Sequence, residues 1–307
     1  MAEYRLRLAH HLSFFGLRIL LWISSFLPLP SLRKIGVFLS GFYRFVASRD
    51  IKRAEESLEI AFPEMPPRER RQLLVRSVRH LGTVLGEVAW LIHTTSDEIA
   101  SVCDIAGEEH LREALDAGRG AVLVTGHLGN WELLNARLGV GGIPMTIAVR
   151  KVYDPRIDAI ASKLRSRFGG EVIPRGGKAG RQLFAALTRN RVNGLLIDQD
   201  IRKLPGAYVP FFGRLAWTPS GAATLAIKAE CPVVPAFIHR KENGRHVVEI
   251  HPPLPIPTEG SLEDRVQALT AAATTAIEDQ IRRFPEQWVW MHRRWRSRPT
   301  LELPDED

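Results

Sequence analysis

Cysteine is scarce in this 307-residue chain: Cys103 and Cys231 stand far apart, neither in a CxxC pair or a Cys/His cluster. That excludes a disulfide scaffold and a structural zinc site, and predicts two buried, small apolar residues in a domain facing a reducing compartment. There is no GxSxG elbow, and neither cysteine has a nucleophile's setting, so a covalent serine- or cysteine-bound intermediate is not expected. No HExxH-type spacing occurs, so the chemistry does not require a metal. Internal repeats, low-complexity tracts and clear linkers are missing as well. The longest uncharged apolar stretch, Ile19–Leu32, has 14 residues, below the roughly 20 that cross a bilayer outright.

What the chain does have is positive charge and aromatic residues. A net charge of +8 with a pI near 9.9 asks for an acidic partner: nucleic acid, anionic lipid or an acidic protein. Arg5, Arg7, Arg18, Arg33 and Lys34 bracket the N-terminal apolar stretch. Arg282, Arg283, Arg293, Arg294, Arg296 and Arg298 crowd the C-terminus, interleaved with Trp288, Trp290, His292 and Trp295. Arginine mixed with tryptophan suits a membrane interface. No nucleic-acid-binding motif accompanies the charge, so nucleic acid is not an expected partner.

Residues Leu8–Leu32 carry a single charge, Arg18, and Pro28 and Pro30 close the apolar run. No small-residue cleavage site follows it, which argues against a signal peptide. Two membrane readings stay open. One is a marginal transmembrane helix with Arg18 snorkelling. The other is an interfacial helix placing Phe14, Phe15, Leu20, Trp22 and Phe26 at the acyl boundary. A core helix is the bland alternative.

Beyond it, Asp50–Ile92 reads as helices broken by a turn at Pro63–Pro67, with Leu73, Leu74, Val78, Leu81 and Leu85 at helical spacing. From Gly120 the pattern alternates. Strands are predicted at Ala121–Thr125, Pro144–Val149, Glu171–Pro174, Val192–Ile197, Val233–His239 and His246–His251. Helices are predicted at Asn130–Leu138, Pro155–Phe168, Ala179–Thr188, Pro219–Ala229 and Leu262–Arg283. This calls for an α/β fold, a mainly parallel central sheet flanked by helices. The expected organisation is a membrane-associated helical segment over 1–48 and an α/β domain over 49–307.

Four predicted strands end on groups that carry chemistry. The first ends at His127, within GAVLVTGHLGNWE, with Glu132 five positions on; the others end at Arg150, at Arg175 and at Asp198-Gln199-Asp200. In an open parallel sheet such ends share one rim, where ligands bind. A histidine can take a proton from a hydroxyl near neutral pH, and a nearby carboxylate fixes its tautomer and stabilises the imidazolium. Gly126 and Gly129 permit close backbone approach. Asn130 suits an N-cap, and the free N–H groups of the helix it opens suit an oxyanion or a phosphate. The His-x4-Glu spacing alone is weak, since His93–Glu98 repeats it. That second pair follows a helical run with no strand before it or glycine turn after it, and reads as a surface loop. Arg150 has a competing reading as a structural ion-pair partner, and Asp198 and Asp200 as turn caps.

HLGNWE, AVRKVYDPRID, LLIDQD, GAYVPFFGRLAWTPSGAATLA, PVVPAFIHR and PEQWVWMHRRWRSRP, in that order, resemble the late acyltransferases of bacterial lipid A synthesis. These form the lauroyl/myristoyl type of the lysophospholipid acyltransferase superfamily. AFPEMPPRERRQLLVRSVRHLGTVLGE looks like that family's upstream region, so the likeness runs from about Arg53 to Pro299. One departure is Ser57-Leu58, where the family usually has Asn-Leu. The resemblance implies a glycerolipid acyltransferase-like fold. It also implies transfer of an acyl chain from acyl carrier protein, or acyl-CoA, to a hydroxyl of a lipid A precursor at the cytoplasmic face of the inner membrane, with no cofactor beyond that thioester co-substrate. By the same likeness His127 is the general base and Glu132 its orienting carboxylate. Arg150 contacts acceptor or oxyanion, Asp198, Gln199 and Asp200 shape the site, and Val209–Gly213, with Phe211, Phe212 and Gly213, lines the acyl region. Other members of the superfamily acylate glycolipids, aminolipids and mannosylated phosphoinositides, so the acceptor stays open.

Overall fold

The structure, a computed structural model, describes residues 8–299; Arg5 and Arg7 lie outside the described residues. Four helices come first: α1 (Leu8–Ser24), α2 (Leu29–Val46), α3 (Ser48–Ala61) and α4 (Pro67–Leu91). Pro28 precedes α2 and Pro67 opens α4, where a missing N–H costs nothing. Helices α2 and α4 pack backbone to backbone at Gly36 and Gly82, where a Cβ on either would overlap the other's carbonyl oxygen.

The alternating part follows as α5 (Ser96–Val102), β1 (Cys103–Ala106), α6 (Glu108–Asp116), β2 (Ala121–Thr125), α7 (Trp131–Val140), β3 (Met145–Val149) and α8 (Pro155–Ser166). Next come β4 (Glu171–Pro174), α9 (Ala179–Thr188), β5 (Val192–Leu196), β6 (Gly206–Phe211), β7 (Arg214–Pro219), α10 (Gly221–Ala229), β8 (Val233–Arg240), β9 (His246–Ile250) and α11 (Leu262–Arg283). Seven strands form one sheet in the order β1-β9-β8-β2-β5-β3-β4. The β8–β9 pair is antiparallel and every other pair in that sheet is parallel, as the expected mainly parallel sheet requires. Strands β6 and β7 make a separate antiparallel hairpin.

Central strand β2 shows why both faces must be covered. Val122 and Val124 point into a core built with α3, α4, α10 and α11, while Ala121 and Leu123 point into a second core with α5, α6 and α7. All five β2 residues are buried, as a strand between two helical layers demands. Both cysteines are buried, as expected.

The two aromatic-rich ends of the chain behave differently. In α1, α2 and the turn between them, Phe15, Leu20, Trp22, Phe26, Phe38 and Phe42 are exposed. Among the described residues no helix is long and apolar enough to cross a membrane. At the C-terminus the membrane-interface expectation is corrected: Trp288, Trp290 and Arg294 are fully buried. Apart from Arg294 Nε, which is buried without a partner, their polar atoms are taken up internally. Trp290 Nε1 donates to the Pro285 carbonyl, and Arg294 donates to the Trp217 carbonyl and to Thr218 Oγ1. A tryptophan–arginine run fits an interior when each polar head finds an acceptor there.

Candidate active site

Strand β2 delivers a tight turn, Gly126–Asn130, to the sheet's carboxyl edge. The backbone at Gly129 is left-handed, with φ +60°, and a Cβ there would overlap the Ile238 carbonyl oxygen. At Gly126 a Cβ would come within 3.1 Å of Asp198 Oδ2, so its absence lets that carboxylate approach the turn. Asn130 caps α7 as predicted, its Oδ1 accepting from Leu133 N at 3.0 Å. The C-terminal segment clamps the turn: Gly129 N donates to the Gln287 carbonyl at 2.9 Å and Val289 N to the His127 carbonyl at 3.2 Å.

The carboxylate that holds His127 is Asp198, from the end of β5. Asp198 Oδ1 lies 2.8 Å from His127 Nδ1, and Oδ2 accepts from His127 N at 2.7 Å and Trp288 Nε1 at 2.8 Å. Burial works to raise the Asp198 pKa; the His127 charge and N–H groups, with His292, overcome it and hold the carboxyl well below the usual carboxylate range. An ionised Asp198 requires the proton on Nδ1 and leaves Nε2 with its lone pair. The orienting role read for Glu132 from spacing therefore does not match the hydrogen bonds. Glu132 begins α7 and reaches across to α8, where Arg165 donates to it at 2.6 and 3.1 Å. A bidentate guanidinium holds a carboxylate more strongly than a neutral imidazole does.

His127 opens onto a cavity of about 270 Å³ whose walls include Trp131, Glu132, Arg150, Arg165, Arg175 and Gln199. Three of the predicted strand ends thus supply groups to the cavity that His127 lines. Gln199 Nε2 stands 3.3 Å from His127 Nε2 and 3.1 Å from His292 Nε2, between the two rings. Burial, opposed by the Asp198 charge and reinforced by His127, pushes the His292 pKa down to about 4, so that ring is neutral at pH 7. His127, Asp198 and His292 offer ligand-type atoms within 4.8 Å of one another. Both Asp198 oxygens already accept N–H donors, so the cluster as built is a hydrogen-bonded pair with a neutral imidazole beside it.

A second cavity of about 590 Å³ shares Ala148, Arg175 and Leu196 with the first. Its wall is largely apolar, with Leu183, Phe184, Leu195, Leu204 and Leu225, and it also carries Arg181 and Lys228.

Other expected positions lie elsewhere. Asp200 accepts from Ser297 N at 2.6 Å and from Ser297 Oγ at 2.9 Å, fastening the C-terminal segment. Phe211 and Phe212 are buried among Trp288, Trp290 and Trp295, and neither they nor Gly213 line either cavity. They form a hairpin corner because Phe212 and Gly213 both take positive φ between β6 and β7, as a two-residue turn of matching twist requires. The decoy pair lies at the surface, as expected, with His93 in a loop and Glu98 in the helix that follows it: Glu98 completes a capping box with Thr95, and His93 Nε2 meets the Leu21 carbonyl. Arg165, Trp288 and His292 were missed. Arg165 sits in an ordinary amphipathic helix with no signal of its own, and the other two belong to the run misread as an interface.

Comparison with known proteins agrees with this geometry. A family model described as "Bacterial lipid A biosynthesis acyltransferase" matches residues 3–297. The chain is 28% identical to the lipid A biosynthesis lauroyltransferase of Escherichia coli (strain K12) over 94% of this chain and 92% of that protein. It is 26% identical to the palmitoleoyltransferase of the same organism over 95% and 93%. A phosphatidylinositol mannoside acyltransferase of Mycolicibacterium smegmatis is 30% identical over 62% of each chain. With a parallel sheet presenting His127 over a cationic cavity, and the family match running nearly end to end, this chain belongs to the bacterial lipid A biosynthesis acyltransferases.

Proposed function

We propose that the enzyme moves a fatty acyl chain from an acyl thioester on acyl carrier protein to a hydroxyl of a lipid A precursor, with His127 as general base. One juxtaposition carries this reading: a carboxylate-held imidazole lines a cationic cavity that adjoins a larger apolar one. The acceptor hydroxyl replaces Gln199 at His127 Nε2 and gives up its proton there. Its oxygen forms a bond to the thioester carbonyl carbon, and the carbonyl π electrons move onto oxygen. When the tetrahedral intermediate collapses, the C–S bond breaks and the departing thiolate takes the proton from His127. Asp198 stabilises the imidazolium between those events. Arg150, Arg165 and Arg175 suit the oxyanion and an anionic headgroup, and Glu132 holds Arg165 in place. The apolar cavity suits the acyl chain, and Arg181 and Lys228 suit an acidic carrier better than a neutral donor. The exposed aromatic face of α1 and α2 suits a bilayer surface, which for this function is the cytoplasmic face of the inner membrane.

His127→Ala and Glu132→Ala are expected to abolish transfer while the thermal unfolding midpoint is kept. A wild-type rate in purified His127→Ala sinks the base assignment. The mannoside relative favours a second reading, with the same chemistry on another glycolipid. Whole-lipid mass spectrometry of cells with and without the gene separates the two: acyl mass missing from lipid A supports the first, an unchanged lipid A the second.

A further inference from the structure

A buried ion cluster meets the His127 turn at Asn130, away from the residues bonded to Asp198. At its centre Glu87 of α4 is only 1% exposed. Its Oε1 accepts from Arg33 Nε of α2 at 2.8 Å and Arg240 Nε of β8 at 3.1 Å, and meets His246 Nε2 of β9 at 3.0 Å. Its Oε2 accepts from Asn130 Nδ2 at 3.0 Å. Burial alone would raise the Glu87 pKa; the His246 hydrogen bond and the Arg240 and Arg33 charges reverse it, so the group is a carboxylate at neutral pH.

A buried carboxylate is costly unless paired, and two arginines more than pair it. The bond to Asn130 is the one that concerns the turn. Asn130 is completely buried and lies between His127 and Glu132. Its Oδ1 is used by the α7 cap, so Nδ2 is the end free to be gripped from outside the turn. His80, also on α4, adds to the same grip: its Nδ1 lies 3.1 Å from Arg240 and its Nε2 3.5 Å from the Gly129 carbonyl.

We infer that Glu87 is a positioning residue for the reaction: through Asn130 Nδ2 it sets where the turn holds the His127 imidazole relative to Asp198 and the cavity. The inference rests on the base role proposed for His127. Glu87 makes no contact with the cavity itself, so its effect falls on kcat and not on KM.

The test uses the full-length protein in mixed micelles with acyl-carrier thioester and lipid acceptor. Asn130→Ser keeps a side-chain oxygen for the α7 cap and removes the amide that reaches Glu87. Glu87→Gln removes the charge. Each is expected to lower kcat by roughly 10- to 100-fold, the cost of a small misplacement of a reacting group, at unchanged KM. The double variant is expected to be no slower than the slower single variant, because both cut one link. The proton between His127 Nδ1 and Asp198, followed as a downfield NMR resonance, should shift or broaden in both. A purely structural role predicts additive losses and an unmoved resonance. Wild-type kcat and an unmoved resonance in Asn130→Ser overturn the inference. If Glu87→Gln does not fold, Asn130→Ser decides alone. If the wild type transfers no acyl group but the resonance still responds, the positioning role stands and the proposed function falls.

Discussion

Asp198→Asn is the sharpest probe of this site, because the surrounding donors dictate which way the amide must sit. Oδ2 of Asp198 receives two N–H groups, from the His127 backbone at 2.7 Å and from Trp288 Nε1 at 2.8 Å. An asparagine must put its carbonyl oxygen there, since an NH2 group would face two donors. Its NH2 then faces His127 Nδ1 at the position where Oδ1 now stands 2.8 Å away. Nδ1 becomes an acceptor, the proton moves to Nε2, and the ring presents a donor to the cavity where the reaction needs a base. Loss of tautomer control in such a pair costs about 10⁴ in kcat, or about 5 kcal/mol at 1.36 kcal/mol per tenfold. The side-chain shape and three hydrogen bonds are kept, so the unfolding midpoint should barely move. The assay is single-turnover transfer of a labelled acyl chain at saturating donor and acceptor, from pH 6 to pH 9. The loss should persist across that range, because deprotonating the medium does not restore the tautomer. An Asp198→Asn enzyme within tenfold of wild type would refute the assignment of Asp198 as the group that orients His127.

Three further outcomes follow from burial and cavity shape. Burial, helped by the Arg240 charge, pushes the His80 pKa down to about 3, and His292 sits at about 4. The unfolded chain therefore binds protons below about pH 6.5 that the folded one refuses; stability is full above that pH and falls on acidification, by about 1.4 kcal/mol per pH unit per histidine. Denaturant midpoints measured from pH 7 to pH 4.5 should decline steadily, and a flat profile contradicts the neutral-histidine assignment. In α2, Phe38 is 80% and Phe42 67% exposed; changing both to Asp should abolish co-sedimentation with anionic vesicles and leave stability within about 0.5 kcal/mol, whereas retained binding rules out this face as the anchor. Gly180 lines the apolar cavity, and a Cβ there meets nothing within 4 Å. Gly180→Leu should fill that space without clash and depress transfer of long acyl chains more than short ones; equal loss at all lengths shows that the chain lies elsewhere.

The sheet was legible because its buried strands are apolar runs bounded by turn residues, and eight of the eleven elements predicted from Ala121 to Arg283 begin on the predicted residue. Strand β1 was not, since Cys-Asp-Ile-Ala is short and lies at the edge of the sheet. Nor was the β6–β7 hairpin. Its strands contain Pro210 and Pro219, and its corner is Phe212-Gly213 instead of the Asn-Gly that ordinarily signals such a turn. Phe212 tolerates φ +51° because its N–H donates to Glu278 at 2.6 Å and Arg282 lies over its ring at 4.4 Å, support that comes from α11 far along the chain. The site shows the same division. His127 at a strand end could be read locally, but the partner choice could not. Glu132 is five residues from His127 and turns to α8, while Asp198 is 71 residues away and is brought alongside by β2–β5 pairing. Chain distance pointed to Glu132; parallel pairing of adjacent strands sets Asp198 against the ring.

The burial of Trp288 beneath Asp198 also sets an order of events during synthesis. Every strand of the sheet, and the dyad itself, leaves the ribosome before residue 288, yet the turn bearing His127 is closed by backbone bonds to Gln287 and Val289, and Asp198 receives its third donor from Trp288. A nascent chain stalled before that segment can form its helices and its strands but holds a loosened imidazole and a carboxylate without its third protein donor. The complete His127 site thus arrives with the last part of the described chain, long after α1 and α2 have been made. Translation itself presents the exposed aromatic residues of α1 and α2 before the turn bearing His127 can be closed.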